Sequence, residues 1–211
     1  VGSGYVGMSL AVLLAQHNDV VVLDVDPARV DKVNSKQSTV ADAEIEAFLA
    51  KKVLSLTATL DKQAAYEGAC FVLVATPTNY DPDTNRFDTS SVDSVVSDAL
   101  ELNKDATVVI KSTIPVGHTK SLQAKHDTER VMFSPEFLRE GTAVYDFLHP
   151  SRVVVGAETK EVCARVGALY DGVDAPVIFS DPVSSETIKY AANAFLATKI
   201  SFINSIANIC E

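Results

Sequence analysis

Short runs of apolar residues recur along the chain, separated by longer stretches in which apolar and polar positions follow helical spacing. The runs are rich in Val, Ile and Phe and lack the strict in-and-out alternation of a half-buried strand. Such runs are typical of parallel strands that are buried on both faces. The predicted strands are residues 20–23, 71–75, 108–110, 131–133, 153–155 and 177–179.

The stretches between these runs are predicted to be helices, at residues 10–16, 41–52, 91–102 and 158–170. Strands that alternate with helices in this way indicate an α/β fold. We therefore expect a doubly wound parallel sheet with helices on both of its faces.

The end of the chain has a different pattern. From Ser184 to Glu211 there is no proline or glycine, and Ser184 to Thr187 supply capping residues at the start. The apolar face of this segment consists of Ile188, Ala192, Phe195, Ile203 and Ile206. We expect one helix of about seven turns. The chain then divides into a domain of residues 1–183 and the start of a long helix, residues 184–211, which links to an absent substrate-binding C-terminal domain or forms a dimer contact.

Composition narrows the class of partner. The chain has 18 Lys and Arg against 28 Asp and Glu, a formal net charge of −10. Nucleic acid is disfavoured because its binding normally needs a basic face, and no apolar run is long enough to suggest a membrane span. The expected partner is a small molecule, which backbone amides can bind even in an acidic protein.

The cysteines and histidines bear on compartment and metal. The three cysteines are an odd number without a C-x-x-C pair, which indicates a reducing compartment, the cytoplasm. Cys70 opens an apolar run and is expected in the core. The four histidines show no metal-ligand spacing, so no metal site is expected.

A glycine-rich turn stands at the start of the chain. Gly2-Ser3-Gly4-Tyr5-Val6-Gly7 matches the G-x-G-x-x-G fingerprint of dinucleotide-binding domains, and an apolar helical stretch follows it. Gly2 permits the tight turn, Gly4 lets the backbone approach a pyrophosphate, and Gly7 lets the helix pack close to a strand. The amides that open the helix, at Tyr5 and Val6, are then expected to face the diphosphate.

An acidic residue stands where such a site needs one. Asp24 follows the next predicted strand, 20 residues after Gly4, the distance expected for an acid that binds the adenine ribose. It favours NAD over NADP because it repels a 2′-phosphate, although Arg29 could neutralise Asp24 or contact the ribose. The alternative is a glycine turn beside an unrelated surface acid. The full order of turn, helix, strand and acid favours a Rossmann-type site for NAD, and we expect a leading strand that this sequence lacks, since only Val1 precedes the turn.

Polar clusters follow three later strands. They are Thr76-Pro77-Thr78-Asn79, Lys111-Ser112-Thr113-Ile114-Pro115 and Ser134-Pro135-Glu136-Phe137. Each cluster alone is explained by turn formation. Because ligands of open α/β sheets bind beyond the carboxyl ends of the strands, three successive clusters indicate a binding site at that edge.

These stretches resemble motifs of the UDP-glucose/GDP-mannose dehydrogenase family, and they occur in the family's order from Gly2 to about Phe202. The matching stretches are Gly2 to Gly7, Ala75 to Asn79, Lys111 to Gly117, Ser134-Pro135-Glu136-Phe137-Leu138-Arg139-Glu140-Gly141, and Lys189-Tyr190-Ala191-Ala192-Asn193-Ala194-Phe195.

The resemblance implies a four-electron oxidation of a nucleotide sugar. The C6 alcohol becomes an aldehyde and then a carboxylate while two NAD+ are reduced, and a cysteine captures the aldehyde so that one hard step is divided into easier ones. The family's nucleophilic cysteine lies in a glycine-rich segment downstream of the long helix, and this sequence contains no such segment. We therefore expect the chain to bind NAD and part of the substrate without complete turnover by itself.

The resemblance also implies roles for residues in the clusters. Thr78, Thr113 and Glu140 are expected on the cofactor side, and Thr113 also holds an ordered water near the reacting carbon. Glu136 is the candidate base, especially for thioester hydrolysis, which requires a carboxyl pKa raised toward neutrality. The alternative for Glu136 is a helix-capping or ion-pair acid.

The substrate is expected between the third cluster and the long helix. The segment from Glu136 to Glu140, which includes Phe137, Leu138 and Arg139, is expected to follow the substrate with its backbone. Lys189 and Asn193 are four residues apart and share one face of the helix, where they could stabilise an oxyanion at C6. The alternative for this pair is a solvated polar stripe.

The subfamily is narrowed by two further stretches. Tyr80 to Asp88 and His149-Pro150-Ser151-Arg152 look most like the UDP-glucose enzymes, which produce UDP-glucuronate for polysaccharide biosynthesis. GDP-mannose and UDP-N-acetylmannosamine dehydrogenases remain alternatives, and the resemblance implies a homodimer through the long helix. A rival of another class is a non-catalytic NAD-binding regulatory module, which would not need Thr113, Glu136, Lys189 and Asn193 together.

Overall fold

The computed structural model describes residues 1–83, 86–170, 173 and 175–210, and it has the α/β architecture expected from the sequence. The strands are β1 (Val20–Leu23), β2 (Leu56–Thr59), β3 (Phe71–Val74), β4 (Asn79–Asp81), β5 (Arg86–Asp88), β6 (Thr107–Ile110), β7 (Val131–Phe133), β8 (Val153–Gly156) and β9 (Val177–Ser180). The helices are α1 (Tyr5–Leu14), α2 (Pro27–Asn34), α3 (Ala43–Lys51), α4 (Lys62–Tyr66), α5 (Ser90–Leu102), α6 (His118–His126), α7 (Ala143–Leu148), α8 (Lys160–Gly167) and α9 (Pro182–Cys210), with a 3-10 turn at Ala168–Tyr170.

The main sheet has the strand order β3-β6-β7-β8-β9, and β1 pairs with β2 in a separate parallel ladder. Every residue of β6, β7 and β8 is buried, as expected for strands covered on both faces. The main sheet is mostly parallel, as expected, and the exception is β8, which runs antiparallel to β7. The connection between them includes α7, which packs on α1 and α3 and does not return along the sheet, so the chain enters β8 from the carboxyl edge.

The chain start lies between the two ladders. The Val1 amine donates to the Leu73 carbonyl at 2.7 Å, the Val1 carbonyl accepts from the Ala75 amide at 2.9 Å, and the Gly2 amide donates to the Leu23 carbonyl at 2.8 Å. Behind Val1 a groove of about 870 Å³ runs between β1 and β3. The glycine turn is therefore held between the carboxyl ends of β1 and β3.

Several elements were not predicted from the sequence. They are β2, the hairpin of β4 and β5, and the helices α2, α4, α6 and α7. Most are short and polar, so they carry little periodicity; α4 has only five residues. Thr84 and Asn85, within the stretch from Tyr80 to Asp88, lie outside the described residues, as does Glu211.

Two helices begin earlier than the sequence pattern predicts, because the residues at their N-caps lie earlier in the chain. Helix α1 begins at Tyr5, well before residue 10, because Gly4 takes the N-cap position directly after the turn. Helix α9 begins at Pro182 because Asp181 accepts a hydrogen bond from the Ser184 amide at 3.0 Å, and proline suits the first helical position. Cys70 is exposed rather than in the core, because it stands ahead of the first residue of β3.

The long helix is anchored at one end only. Its first turns pack on β8 and α6, where the fully buried Glu186 carboxylate accepts from the Thr119 amide at 2.9 Å and the Gly117 amide at 2.5 Å. From residue 193 to residue 210 every position is exposed. Among the described residues, no helix has the length and apolar character needed to cross a bilayer.

Asp42 joins two helices through one carboxylate. It is 2% exposed; its Oδ1 accepts from the Glu44 and Ile45 amides at the start of α3, and its Oδ2 accepts from the Ala143 amide at the start of α7. Asp42 was predicted inside the helix of residues 41–52, but it acts as that helix's cap.

We expect Asp42→Ala to lower the free energy of unfolding by about 2–4 kcal/mol, since it removes a cap and leaves the Ala143 amide buried without an acceptor. Asp61→Ala is the matched control. Asp61 caps the short helix α4 through the Gln63 and Ala64 amides at an exposed site, and its loss should cost about 1 kcal/mol or less. Urea unfolding of both variants measures the difference; equal losses would contradict the double-capping role.

Candidate functional site

The glycine turn is shaped by close backbone packing on one side and open space on the other. A Cβ added to Gly7 would lie 1.9 Å from the Gly2 carbonyl oxygen, so α1 can pack against the turn only with glycine there. A Cβ added to Gly4 would meet nothing within 4 Å. Gly4 thus borders open space at the N-terminus of α1, where backbone amides and the helix dipole favour an anion.

Asp24 lies beside this turn. Its Oδ2 accepts from the Ser3 amide at 2.9 Å and the Ser3 hydroxyl at 2.5 Å, and its Oδ1 accepts from the Asp26 amide at 3.1 Å. Burial opposes ionisation, but these hydrogen bonds outweigh it and lower the pKa of Asp24. Asp24 is therefore a carboxylate at neutral pH, with its position fixed by the loop that it faces.

Arg29 does not pair with Asp24 in this structure. Its Nε lies 3.8 Å from the Asp26 carboxylate, and its NH1 donates to the Ser3 carbonyl at 3.5 Å. The negative charge of Asp24 is therefore not directly neutralised by Arg29.

The loops after β3 and β6 are bonded to each other and to α5. The Ser112 hydroxyl donates to the Thr76 carbonyl at 2.6 Å, and the Ser91 hydroxyl donates to the Pro77 carbonyl at 2.8 Å. Thr78 and Thr113 lie half-buried in these two loops. The predicted polar clusters therefore occupy one edge of the sheet, as the carboxyl ends of parallel strands require.

The loop after β7 places Glu136 over a buried cation. The Glu136 side chain is 13% exposed and its Oε1 contacts the ammonium of Lys111, which is 1% exposed. Burial raises the pKa of the Glu136 carboxyl, and the charges of Lys111 and, more weakly, Lys189 oppose that rise. Among the described residues, Oε1 receives no hydrogen bond besides this ionic contact.

Lys111 is a site residue that sequence reasoning did not single out. Its ammonium contacts the Tyr170 hydroxyl and donates to the Ser134 hydroxyl at 3.2 Å, in addition to its contact with Glu136. Burial works against its charge, but Glu136 and Tyr170 outweigh that effect and raise the pKa of Lys111. The signal available in the sequence was a lysine directly after a fully apolar strand, where a charge is buried unless it has a partner.

Lys189 reaches the same loop from α9. Its ammonium donates to the Glu136 carbonyl oxygen and lies 5.0 Å from the centre of the Phe137 ring. The guanidinium of Arg152 lies 4.9 Å from that ring centre. Burial lowers the pKa of Lys189, although Glu136 opposes the effect. Two cations thus contact Phe137 at the mouth of the site.

The remaining predicted residues lie further out. Arg139 is bound by Asp146 through Nε at 3.0 Å and NH2 at 2.6 Å, so its side chain is held away from Glu136. Glu140 and Asn193 are exposed, and Asn193 lies one turn beyond Lys189 on α9. A small cavity of about 110 Å³ is lined by Glu136, Phe137 and Leu138 together with other residues up to Arg152 and Tyr170.

The glycine turn, the acid after β1 and the polar edge of the sheet together define a dinucleotide-binding α/β protein with a second, charged site beside the first. Comparison with family models gives the family. Residues 1–174 match the NAD-binding domain of the UDP-glucose/GDP-mannose dehydrogenase family, and residues 183–211 match the family's central domain. The chain belongs to this family, and its cofactor is NAD.

Individual relatives agree with this membership. The chain is 44% identical to a UDP-glucose 6-dehydrogenase of Streptococcus pneumoniae, over 100% of this chain and 56% of that protein. It is 38% identical to one of Campylobacter jejuni, over 98% of this chain and 54% of that protein. The chain thus spans about half the length of the curated relatives it matches.

Solved structures show the same relationship. A UDP-glucose dehydrogenase of Pyrobaculum islandicum superposes with a TM-score of 0.87 and 32% identity, covering 97% of this chain and 50% of that one. A GDP-mannose dehydrogenase of Pseudomonas aeruginosa, solved as a ternary complex, has a TM-score of 0.87 and 26% identity, covering 96% of this chain and 50% of that one.

We expect Gly4→Ala to weaken NAD binding at least tenfold, about 1.4 kcal/mol, while the melting temperature stays close to that of the wild type. The added methyl group meets no protein atom but enters the open space at the helix N-terminus. Gly7→Ala provides the contrast, because it must displace the Gly2 carbonyl and should lower both stability and binding. Titration calorimetry and thermal unfolding measure the two effects; wild-type NAD affinity in Gly4→Ala would contradict the site.

Proposed function

We propose that this chain is the NAD-binding part of a UDP-glucose 6-dehydrogenase, which oxidises UDP-glucose to UDP-glucuronate with reduction of two NAD+. The observation that carries the proposal is the meeting of Glu136, Lys111 and Lys189 at the carboxyl edge of an NAD-binding sheet. The identity with relatives that bear this name supports the choice of substrate.

The cofactor roles follow the geometry of the glycine turn. The amides of Tyr5, Val6 and Gly7 bind the diphosphate, with Gly2 and Gly4 forming the turn. Asp24 binds the adenine ribose when a ribose hydroxyl replaces the Ser3 hydroxyl as the donor to its carboxylate. Arg29 lies beside Asp24. Thr78, Thr113 and Glu140 line the cofactor side of the cleft.

The reacting carbon lies near Glu136 in this proposal. Glu136 acts as the base for thioester hydrolysis by taking a proton from the attacking water, a role for which partial burial suits a carboxylate. Lys189 and Asn193 stabilise negative charge on the C6 oxygen. The backbone of residues Phe137, Leu138 and Arg139 runs along the substrate. Thr113 holds an ordered water.

Residues outside this chain complete the enzyme in the proposal. A downstream segment supplies the cysteine nucleophile, so residues 1–183 form the NAD-binding domain and residues 184–211 begin the connection to a further domain. The groove between β1 and β3 supports the expected strand ahead of Val1. Homodimerisation through α9 is supported by its exposed apolar side chains, of which Phe195 is 72% and Ile209 is 79% exposed. The proposed setting is polysaccharide biosynthesis in the cytoplasm.

We expect the full-length protein to reduce NAD+ with UDP-glucose in preference to GDP-mannose and UDP-N-acetylmannosamine, at two NAD+ per sugar. Glu136→Gln should lower turnover about 10²- to 10⁴-fold, since it removes the base, while NAD affinity is retained. Glu158→Gln, an exposed carboxylate paired with Lys120 at 3.5 Å, is the control and should be unchanged. Preference for another sugar would select a sister enzyme. Full turnover in Glu136→Gln would contradict the role of Glu136 as the base, and a full-length protein that binds NAD but oxidises none of the three sugars would favour a non-catalytic NAD-binding module.

We expect NAD to bind at least tenfold more tightly than NADP, because the Asp24 carboxylate repels a 2′-phosphate. Asp24→Ser should weaken NAD binding and reduce the ratio of NAD affinity to NADP affinity. Asp31→Asn removes one exposed negative charge on α2 and is the control for net charge. Equal affinities for the two dinucleotides in the wild-type protein would contradict the role of Asp24.

A further inference from the structure

We propose that Lys111 is a positioning residue for Glu136: its buried ammonium holds the Glu136 side chain in place and favours its carboxylate form. The inference rests on the proposed function in one respect, because the role of Glu136 as a base comes from that proposal. Its physical content, a coupling between two buried charges, does not depend on which sugar is oxidised.

The position of Lys111 is fixed by the fold. It directly follows β6, and its amide donates to the Val74 carbonyl at 2.9 Å, so its backbone continues the ladder between β3 and β6. The side chain is 1% exposed and contacts the Glu136 carboxylate. A lysine buried to this degree is rarely tolerated without partners, because the loss of hydration costs several kcal/mol per ion.

The partners of the ammonium account for its three hydrogens. It contacts Glu136, contacts the Tyr170 hydroxyl, and donates to the Ser134 hydroxyl at 3.2 Å. The Ser134 hydroxyl in turn donates to the Val154 carbonyl at 2.9 Å and lies 2.8 Å from the Tyr170 hydroxyl. The loop after β7 and the 3-10 turn thus supply the partners of the cation, and β8 holds Ser134 in place, which fixes the direction from which the ammonium meets Glu136.

Three charged or titratable groups act directly on Glu136: Lys111, Tyr170 from the 3-10 turn, and Lys189 from α9, whose ammonium is bonded to the Glu136 backbone carbonyl rather than to its carboxylate. Asp146, His149 and Arg152 line the same cavity, and Asp146 is paired with Arg139. Burial raises the pKa of the Tyr170 hydroxyl, so Tyr170 is neutral at physiological pH. Lys111 is therefore the cation in direct contact with the carboxylate.

The consequence is a base on which burial and a neighbouring charge act in opposite directions, with burial the larger effect, so that the pKa of Glu136 is raised. Burial alone favours the protonated acid, which cannot accept a proton from water. The adjacent ammonium opposes this effect, and an opposite charge at contact distance typically moves a carboxyl pKa by about 1 to 3 pH units. Lys111 thereby lowers the pH limit at which Glu136 can act as a base, relative to burial alone.

The direct test is the titration of Glu136 in the full-length protein, by NMR of protein labelled with ¹³C in the glutamate carboxyl carbons and assigned with Glu136→Gln. Lys111→Met should raise the Glu136 pKa by about 1 to 3 pH units. Lys120→Met, which removes an exposed lysine paired with Glu158, should leave it unchanged. An unaltered Glu136 titration in Lys111→Met would overturn the proposal, whatever the activity of the protein.

Turnover gives a second reading that separates this inference from the proposed function. In Lys111→Met the acid limb of the rate profile should move to higher pH, with NAD affinity unchanged. Tyr170→Phe keeps the cation, so it should move that limb by less than Lys111→Met does. A wild-type protein that oxidises no nucleotide sugar would reject the proposed function while the NMR result still decides the coupling.

A loss of folding in Lys111→Met is itself informative when compared with a double variant. If an uncompensated buried carboxylate is the cause, Lys111→Met combined with Glu136→Gln should recover much of the lost stability, because both charges are then absent. Recovery in urea unfolding supports the coupling. Equal instability of the single and double variants would overturn it, since Lys111 would then serve packing alone.

Discussion

The site depends on the constraint that parallel strands end at one edge of their sheet. The strands β3, β6 and β7 of the main sheet end at one edge, and β1 of the separate ladder ends beside the glycine turn. The residues that follow these strands form the loops of the candidate site. The backbone ladders of the main sheet bring the loops after β3, β6 and β7 together, and the backbone bonds of Val1 and Gly2 link the end of β1 to β3. The bond from the Ser112 hydroxyl to the Thr76 carbonyl then holds two of them in register.

The same constraint explains how an acidic chain can bind an anionic cofactor. In the proposed site, backbone amides at the start of α1 bind the diphosphate, and the Asp24 carboxylate accepts hydrogen bonds from the Ser3 amide and hydroxyl at the turn. Three positive side chains, Lys111, Lys189 and Arg152, lie at the loop after β7, whereas Arg29 lies beside the glycine turn. The net charge of the chain therefore says little about either site. The local geometry decides which charges each site presents: backbone amides at the glycine turn and cationic side chains at the loop after β7.

Sequence reasoning recovered the elements with strong apolar runs and the glycine turn, because burial on both faces and the φ of glycine leave clear patterns. It missed β2 and the short helices, whose formation depends on neighbours more than on their own periodicity. It predicted the parallel sheet, but it did not predict that β8 is reversed, because the direction of β8 depends on where α7 packs and no local pattern reveals that. At the site, spacing brought Lys189 to the correct face of α9, but the buried partnership of Lys111 with Glu136 joins residues 25 positions apart (111 and 136) that only the fold brings together.

The central claim is that amides opening α1 and the carboxylate after β1 form a binding site for a nicotinamide dinucleotide. Isothermal titration calorimetry of folded, wild-type protein with oxidised and reduced NAD tests it most directly. We predict a saturable heat of binding at one dinucleotide per chain. No detectable binding of either form by a well-folded protein would contradict the account.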